Sequence, residues 1–378
     1  MTPKRTTRKE TVEKARRVVI KIGSTIVASR TAGVNQTRIR ALSHEFALLR
    51  ERGIEVIVVT SGAVAAGMVK LGLTERPRTI ELKQASASVG QSALMRMYEK
   101  HLDKHGIPVG QVLLTSGDLT DRRRFLNARN TLHTLIELGA IPIINENDTV
   151  SIEELKFGDN DNLASLVTVL AGADMMVILS DVNGLYDKNP AEPGAHLVSE
   201  VPVITPEVEA MAGGSVSGIG TGGMASKLVA AKKATDGGAA CFIINGTKAG
   251  NISKLFAGDE VGTFFRPVEE SLSSKKHWIM YTMKPKGKLV VDEGAQKAVS
   301  SKGKSLLPSG IKSAEGKFAA GDAVEICALD GSVIARGLVN YSRAEVDKIK
   351  GVNSADIEKV LGEKYSDEVV HRDDLVIV

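Results

Sequence analysis

Two lysines and a concentration of short carboxylates and amides are the residues of this chain best suited to chemistry. Lys21 lies in "RVVIKIGST", a stretch otherwise apolar, with Gly23 and Ser24 directly after it. A lysine is seldom placed among apolar neighbours unless it is paired or used, and glycine lets backbone approach a ligand closely. The plain alternative is an edge-strand lysine whose stem packs while its ammonium reaches water; the glycine turn favours a working role. Lys227 stands in "GIGTGGMASKLVAA" (218–231), the glycine-richest stretch. Gly218, Gly220 and Gly223 spell G-x-G-x-x-G, but "AMAGGSVS" before them is no strand, so the dinucleotide fingerprint fails its context. A Walker loop fails too, because Ser226 rather than glycine precedes Lys227. What remains is a glycine loop opening a helix, whose amides could cradle phosphate while Lys227 supplies a point charge. A linker of small residues is the bland reading.

The carboxylates and amides fall in "IINENDTV" (143–150) and "KFGDNDNLAS" (156–165). Asn145, Glu146, Asn147 and Asp148 follow one apolar run, and Gly158, Asp159, Asn160, Asp161 and Asn162 precede another. Asp and Asn suit caps and turns, but two such clusters close together exceed that need. Amides both donate and accept, so they can meet an amino acid's ammonium and carboxylate, and one carboxylate can orient two lysines. In "VVTSGAVAAG", Ser61 and Gly62 form a turn into a helix whose first N–H groups attract anions; plain capping by Ser61 is the alternative. "SDVNGLYDKNP" (180–190) is a further polar loop suited to surround a nucleotide base. His101 and His105 have the i, i+4 spacing of metal ligands, yet "YEKHLDKHG" reads as a charged helix face. G-x-S-x-G and H-E-x-x-H are both absent. Charges supplied by lysine and aspartate point to phosphoryl transfer, where positioning and neutralisation do most of the work.

The elements that must position these residues alternate through the first 265 residues. Strands are expected at 17–22, 54–60, 108–115, 140–145, 175–180 and 239–245, and an amphipathic helix at 38–53, closed by Gly53. Continuous apolar strands separated by helices indicate a parallel sheet covered on both faces, and ligands of such sheets sit beyond the strands' carboxyl ends. The chemistry-bearing residues follow those ends. Past "RPVEESLSSKKHW" (266–278), short strands with Gly-rich turns predict a small β-rich module of about eighty residues.

At 378 residues the chain is too long for one typical core, so two domains are expected. A net charge of +4 implies no nucleic-acid partner by itself, and the basic start "MTPKRTTRKETVEKARR" lacks the apolar core of a secretory signal. It reads as a solvated arm. No apolar run approaches the ~18 residues that span a membrane, and Cys241 and Cys327 lack metal spacing, which suits the reducing cytoplasm.

"VVIKIGST", "VTSGAVAAG", "INENDTV", "GDNDNLAS" and "GTGGMASK", in this order and spacing, resemble the glutamate 5-kinases of the amino acid kinase superfamily. The tail "VDEGAQKAVSSKGKSLLPSGIKSAEGKFAAGDAVEI" is similar to a PUA domain. The resemblance implies a three-layer α/β sandwich with a mainly parallel central sheet, plus a small β-rich PUA domain. It divides the chain into an arm (1–16), a kinase domain (17–265), a linker (266–284), a PUA domain (285–363) and a tail (364–378). It also implies ATP-dependent phosphorylation of the γ-carboxylate of L-glutamate, the first step of proline biosynthesis. Lys21 and Lys227 would then neutralise the transferring phosphoryl group, with Asp161 holding both. Ser61, Gly62, Asn145, Asp148 and Asn160 would bind glutamate. ATP would lie on Lys21, on the Ser180–Asp181 pair and on Thr221, Gly222, Gly223, Met224, Ala225, Ser226 and Lys227, its Mg²⁺ carried by the phosphates rather than by protein ligands. Ser180 stands where the family carries Thr and keeps the hydroxyl. Proline as feedback inhibitor and a homodimer or homotetramer follow from the same resemblance. Acetylglutamate or aspartate phosphorylation, RNA contact through the PUA module, and a proline-sensing regulator without catalysis are the rival readings. Aromatics at 4% offer little for base stacking.

Overall fold

β-Branched side chains fit a pleated surface covered on both sides, and the apolar runs become strands for that reason. The computed structural model describes residues 7–29, 33–150, 160–212, 223–268, 274–301 and 303–378. In its larger unit, Met1–Ser271, the strands of the main sheet are β1 (Arg17–Ile22), β2 (Glu55–Val59), β3 (Val109–Leu114), β4 (Ile141–Glu146), β5 (Met175–Ser180), β6 (Glu200–Val201), β7 (Ala240–Asn245) and β8 (Thr263–Phe265). They pair in the order β3-β4-β2-β1-β5-β7-β8-β6. Pairing is parallel from β3 to β7, β8 runs antiparallel to β7, and β6 joins β8 in parallel. β1 is therefore central, with Lys21 opposite Val59 on one side and Ile178 on the other. Lys21 is no edge-strand lysine reaching for water.

The period of two along β1 divides its side chains between two helical layers. Val18, Ile20 and Ile22 share one buried cluster with Ile39, Leu42 and Phe46 of α2 (Gln36–Glu51) and with Ala87, Leu94 and Tyr98 of α4 (Ile80–Leu102). Val19 and Lys21 alternate with these, on the side where α5 (Asn160–Leu170) and α6 (Met224–Asp236) pack on β1, β5 and β7. α3 (Ala63–Lys70) crosses α4 with backbone nearly touching backbone. A Cβ on Gly67 would lie 1.7 Å from the Ser86 carbonyl oxygen, and one on Gly90 would lie 1.8 Å from that of Ala63. Only glycine fits at either crossing point.

Part of the expected solvated arm is built into this unit. α1 (Arg8–Lys14) opens with a capping box between Thr7 and Glu10, and Val12 and Ala15 are buried in the same apolar cluster. The Arg8 guanidinium lies 5.4 Å above the Phe242 ring. Apolar residues at i, i+3 give this short helix a face to bury.

The second unit, Leu272–Val378, has a sheet of β9 (Gly287–Val291), β10 (Ile311–Gly316), β11 (Ala323–Cys327), β12 (Val333–Leu338) and β13 (Leu375–Ile377), in the order β10-β9-β11-β12-β13. The segment expected as a tail thus supplies β13, antiparallel to β12, and Val369 and Val370 are core residues. The expected linker likewise carries a helix, α7 (Ser274–Tyr281), with Trp278 and Ile279 buried and its Met280 carbonyl accepting from Arg336 Nη1 at 2.9 Å. Lysine and serine dominate the sequence there and mask a short apolar face. No helix among the described residues is long and apolar enough to cross a membrane.

Candidate active site

The residues following β1, β2, β4, β5 and β7 lie at the carboxyl edge of the parallel sheet, where crossover connections leave a crevice. Two side-chain constellations occupy that edge, and α5 contributes to both from its first turn.

The first is charged. Asp161, with no exposed surface, pairs with Lys21 Nζ through Oδ1 and with Lys227 Nζ through Oδ2, the latter at 3.2 Å. Lys21 and Lys227 are themselves only 4% and 7% exposed. Ser226 Oγ is within hydrogen-bond reach of both Asp161 Oδ2 (3.0 Å) and the Gly223 carbonyl (2.9 Å). Burial alone would raise the Asp161 carboxyl, but the two ammoniums hold it below the ordinary carboxylate value. An ionised aspartate between two ammoniums leaves one net positive charge in a desolvated place, and attraction for an anion there is far stronger than in water. Gly23 lies beside this spot, where a Cβ would stand 3.8 Å from Lys21 Nζ, an ordinary contact distance. Gly223 is the N-cap of α6, whose first-turn N–H groups carry the positive end of the helix dipole.

The second constellation is neutral. Asn160 Nδ2 donates to Ser61 Oγ at 2.7 Å and to Asn145 Oδ1 at 3.3 Å. Asn145 Nδ2 donates to Gln91 Oε1 at 3.0 Å, and Asn145 Oδ1 also accepts the Glu146 main-chain N–H at 3.0 Å. Two buried atoms of this relay, Asn160 Oδ1 and Gln91 Nε2, have no hydrogen-bond partner among the described residues. Gly62 adopts φ +106° at the start of α3, a left-handed conformation that favours glycine, and so turns the chain sharply after Ser61. Thr60 Oγ1 is 2.9 Å from the buried Tyr98 hydroxyl, so α4 is fastened to this turn two helical turns past Gln91. Asp148 is half-buried on the loop after β4, where burial and then the neighbouring Glu146 push its carboxyl up to about 6.

At the next strand end, Ser180 closes β5 opposite Asn245 of β7 and donates to Asp181 Oδ1 at 3.2 Å. Asn245 Nδ2 donates to Asn183 Oδ1 at 3.0 Å and Asn183 Nδ2 to the Tyr186 hydroxyl at 3.2 Å, extending the polar wall.

The structure therefore groups Lys21, Asp161, Ser226 and Lys227, and separately Ser61, Asn145 and Asn160, with Gly62 shaping the turn. Met224 and Ala225 lie in the first turn of α6 beside Gly223. Thr221 and Gly222, like Gly158 and Asp159, lie outside the described residues. His105 lies past the end of α4, its ring tilted 37° to that of His44 at 5.6 Å between centroids. Gln91, Tyr98 and Asn245 escaped the sequence reading, which took in Asn183 only as part of the 180–190 loop. Gln91 left one trace, the glycine directly before it inside a long helix, which signals a close approach.

The chain matches the amino acid kinase family over residues 16–245 and the PUA domain over residues 287–361. It is similar to glutamate 5-kinase of Syntrophotalea carbinolica, with 54% identity over 371 residues, covering 98% of this chain and 99% of that protein. Glutamate 5-kinase of Geobacter metallireducens is 52% identical over 368 residues, covering 97% of this chain and 99% of the relative.

Proposed function

The chain belongs to the glutamate 5-kinases of the amino acid kinase family, and on that premise we propose that it transfers the γ-phosphoryl group of ATP to the γ-carboxylate of L-glutamate. The product is γ-glutamyl phosphate, at the entry to proline biosynthesis. The observation that carries this reading is the buried Lys21–Asp161–Lys227 triad next to a relay of neutral amides.

A glutamate side chain has a pKa near ~4.3, so at neutral pH the attacking oxygen is already ionised and no general base is required. The carboxylate oxygen forms a bond to the γ-phosphorus, the bond from phosphorus to the β-bridging oxygen breaks, and ADP leaves with that electron pair. The difficulty is bringing one anion onto another. Lys21 and Lys227 offset it by holding their charges where the phosphoryl oxygens gather negative charge, and Asp161 keeps both ammoniums aimed. The N-terminus of α6 would supply further N–H donors for phosphate. This donor set of ammoniums and amides suits phosphate oxygens rather than a metal, so Mg²⁺ belongs on ATP, where it screens the phosphate charge. Ser180, Asp181, Asn183 and Asn245 would line the nucleotide, together with Thr221 and Gly222, which precede Gly223 in the sequence.

Ser61, Asn145, Asp148 and Asn160 would hold glutamate. Proline has a similar zwitterionic head and would compete there as a feedback inhibitor. We place the protein in the cytoplasm as a homodimer or homotetramer. The PUA module leaves RNA contact as an added property rather than the main activity.

The test is hydroxylamine trapping with ATP, Mg²⁺ and L-glutamate. An acyl phosphate yields a coloured hydroxamate, so a signal that requires both substrates establishes the reaction. Signal with aspartate or acetylglutamate alone would overturn the substrate, and silence with every amino acid would overturn the reaction.

A further inference from the structure

The polarity of the amide relay is fixed by a group that cannot reverse. A main-chain N–H only donates, so the bond from Glu146 N obliges Asn145 to present Oδ1 there and Nδ2 toward Gln91. Gln91 must answer with Oε1, which leaves its Nε2 as the spare group. On the other side Asn145 Oδ1 receives Asn160 Nδ2, and Asn160 also spends Nδ2 on Ser61 Oγ, which leaves Oδ1 spare. One backbone amide thus dictates that the relay ends in one unmet acceptor and one unmet donor. Both are buried, Gln91 being 9% exposed, where an unmet hydrogen bond is costly.

We propose that Gln91 is a substrate-binding residue that determines specificity for a free α-amino acid head. Its Nε2 donates to the α-carboxylate while Asn160 Oδ1 accepts from the α-ammonium. A zwitterion carries the complement of both spare groups at once. The relay also runs the right way. Asn160 adjoins Asp161 of the triad, and Gln91 lies two amides further along, so the γ-carboxylate approaches the lysines while the α-carboxylate reaches Gln91. Gln91 can hold this place only because Gly90, one residue before it, lets α4 lie against the carbonyl of Ala63. This assignment rests on the glutamate kinase reading and names the contact that selects the substrate's head.

The test uses the full-length protein, ATP-Mg²⁺ and two substrates sharing a free γ-carboxylate: L-glutamate, and L-isoglutamine, whose α-carboxylate is replaced by a carboxamide. Gln91→Leu should raise KM for glutamate by about 10- to 100-fold, the penalty for a lost hydrogen bond to a charged group, with KM for ATP unchanged. Gln91→Glu still accepts from Asn145 Nδ2 but sets a carboxylate against the substrate's. It should be at least as poor as Gln91→Leu toward glutamate and shift the preference toward isoglutamine by about tenfold or more, because a carboxamide can donate to the new carboxylate. The role is overturned if Gln91→Glu retains wild-type KM for glutamate, since that would make Gln91 a support for Asn145 only. It is also overturned if both variants lose turnover with the two substrates equally. Should Gln91→Leu fail to fold, the Gln91→Glu preference ratio decides alone. A wild-type protein inactive on glutamate would instead overturn the reaction, a result separable from any change among variants.

Discussion

Asn160 and Asp161 are sequence neighbours in the first turn of α5, yet they serve two halves of the site built on opposite principles. Around Asp161 each charged group has an opposite charge beside it, one carboxylate holding two ammoniums in a desolvated place with one positive charge over. Around Asn160 the groups are neutral, and two buried polar atoms have no partner among the described residues. The difference follows from what each kind of vacancy costs. An unpaired buried charge is destabilising by several kcal/mol or more, whereas an unmet amide hydrogen bond costs only about 1–3 kcal/mol. The charged half must therefore be assembled before any ligand arrives, and the neutral half can wait for one. Under the proposed function chemistry would reside in the first and discrimination in the second, so substitutions should divide between kcat and KM.

The strongest test of that division is Asp161→Asn. It leaves two buried ammoniums facing each other, so the protein should lose ~3–5 kcal/mol of stability together with most of its turnover. Chemical denaturation beside the hydroxamate assay reads both. A variant that loses turnover with an unchanged denaturation midpoint would show that the triad is not a buried electrostatic unit. Lys227→Ala comes next. Lys21 still pairs with Asp161, so the fold should survive while kcat falls ~10²–10³-fold, as when one preorganised charge-stabilising donor is removed. Near-normal turnover would end its assigned role. Lys21→Ala should behave alike, and a loss of stability without a loss of turnover would make it structural.

Gly90→Ala probes how the neutral half is supported. The added methyl must displace α4 from the Ala63 carbonyl, carrying Gln91 off Asn145 and Tyr98 off Thr60. We expect a loss of ~1–3 kcal/mol from overpacking and a raised KM for glutamate, with KM for ATP little changed. If both KM values rise equally, α4 supports the whole sheet edge and the two halves are less separate than their hydrogen bonds suggest.

The charged half was legible in the sequence and the neutral half only partly so, for a physical reason. A lysine in an apolar strand, or a carboxylate cluster at a strand's end, violates burial preference and stands out as an isolated letter. Strand ends were legible too, because a parallel sheet must present its ligand at one edge. Gln91 violates nothing: glutamine in an Ala- and Ser-rich helix reads as surface until the fold presses that face onto Asn145. The 7–16 and 364–378 segments failed for a related reason. Val12 and Ala15, or Leu375 and Val376, offer too few apolar residues to register as a pattern, and they are buried because a partner surface already exists.

Asp148, on the loop after β4, gives the smallest and most conditional effect. In the free enzyme its carboxyl is raised to about 6 by burial and then by Glu146. The group is therefore protonated, and without charge for the substrate's ammonium, as pH falls through that value. Above it the carboxylate is present and binding is at full strength. The γ-carboxyl of glutamate stays ionised to ~4.3, so a break near 6 is not the substrate's own. We expect kcat/KM for glutamate to fall about tenfold per pH unit below 6, with KM for ATP flat over the same range. Bound ammonium favours the ionised carboxylate and draws its pKa down, so the corresponding break in kcat should appear at lower pH. Asp148→Asn should remove the break near 6 and lower kcat/KM at pH 8 by about 10- to 100-fold, the loss of a charge-assisted hydrogen bond. A break that survives the substitution would transfer the titration to another group and leave Asp148 a structural residue of the loop after β4.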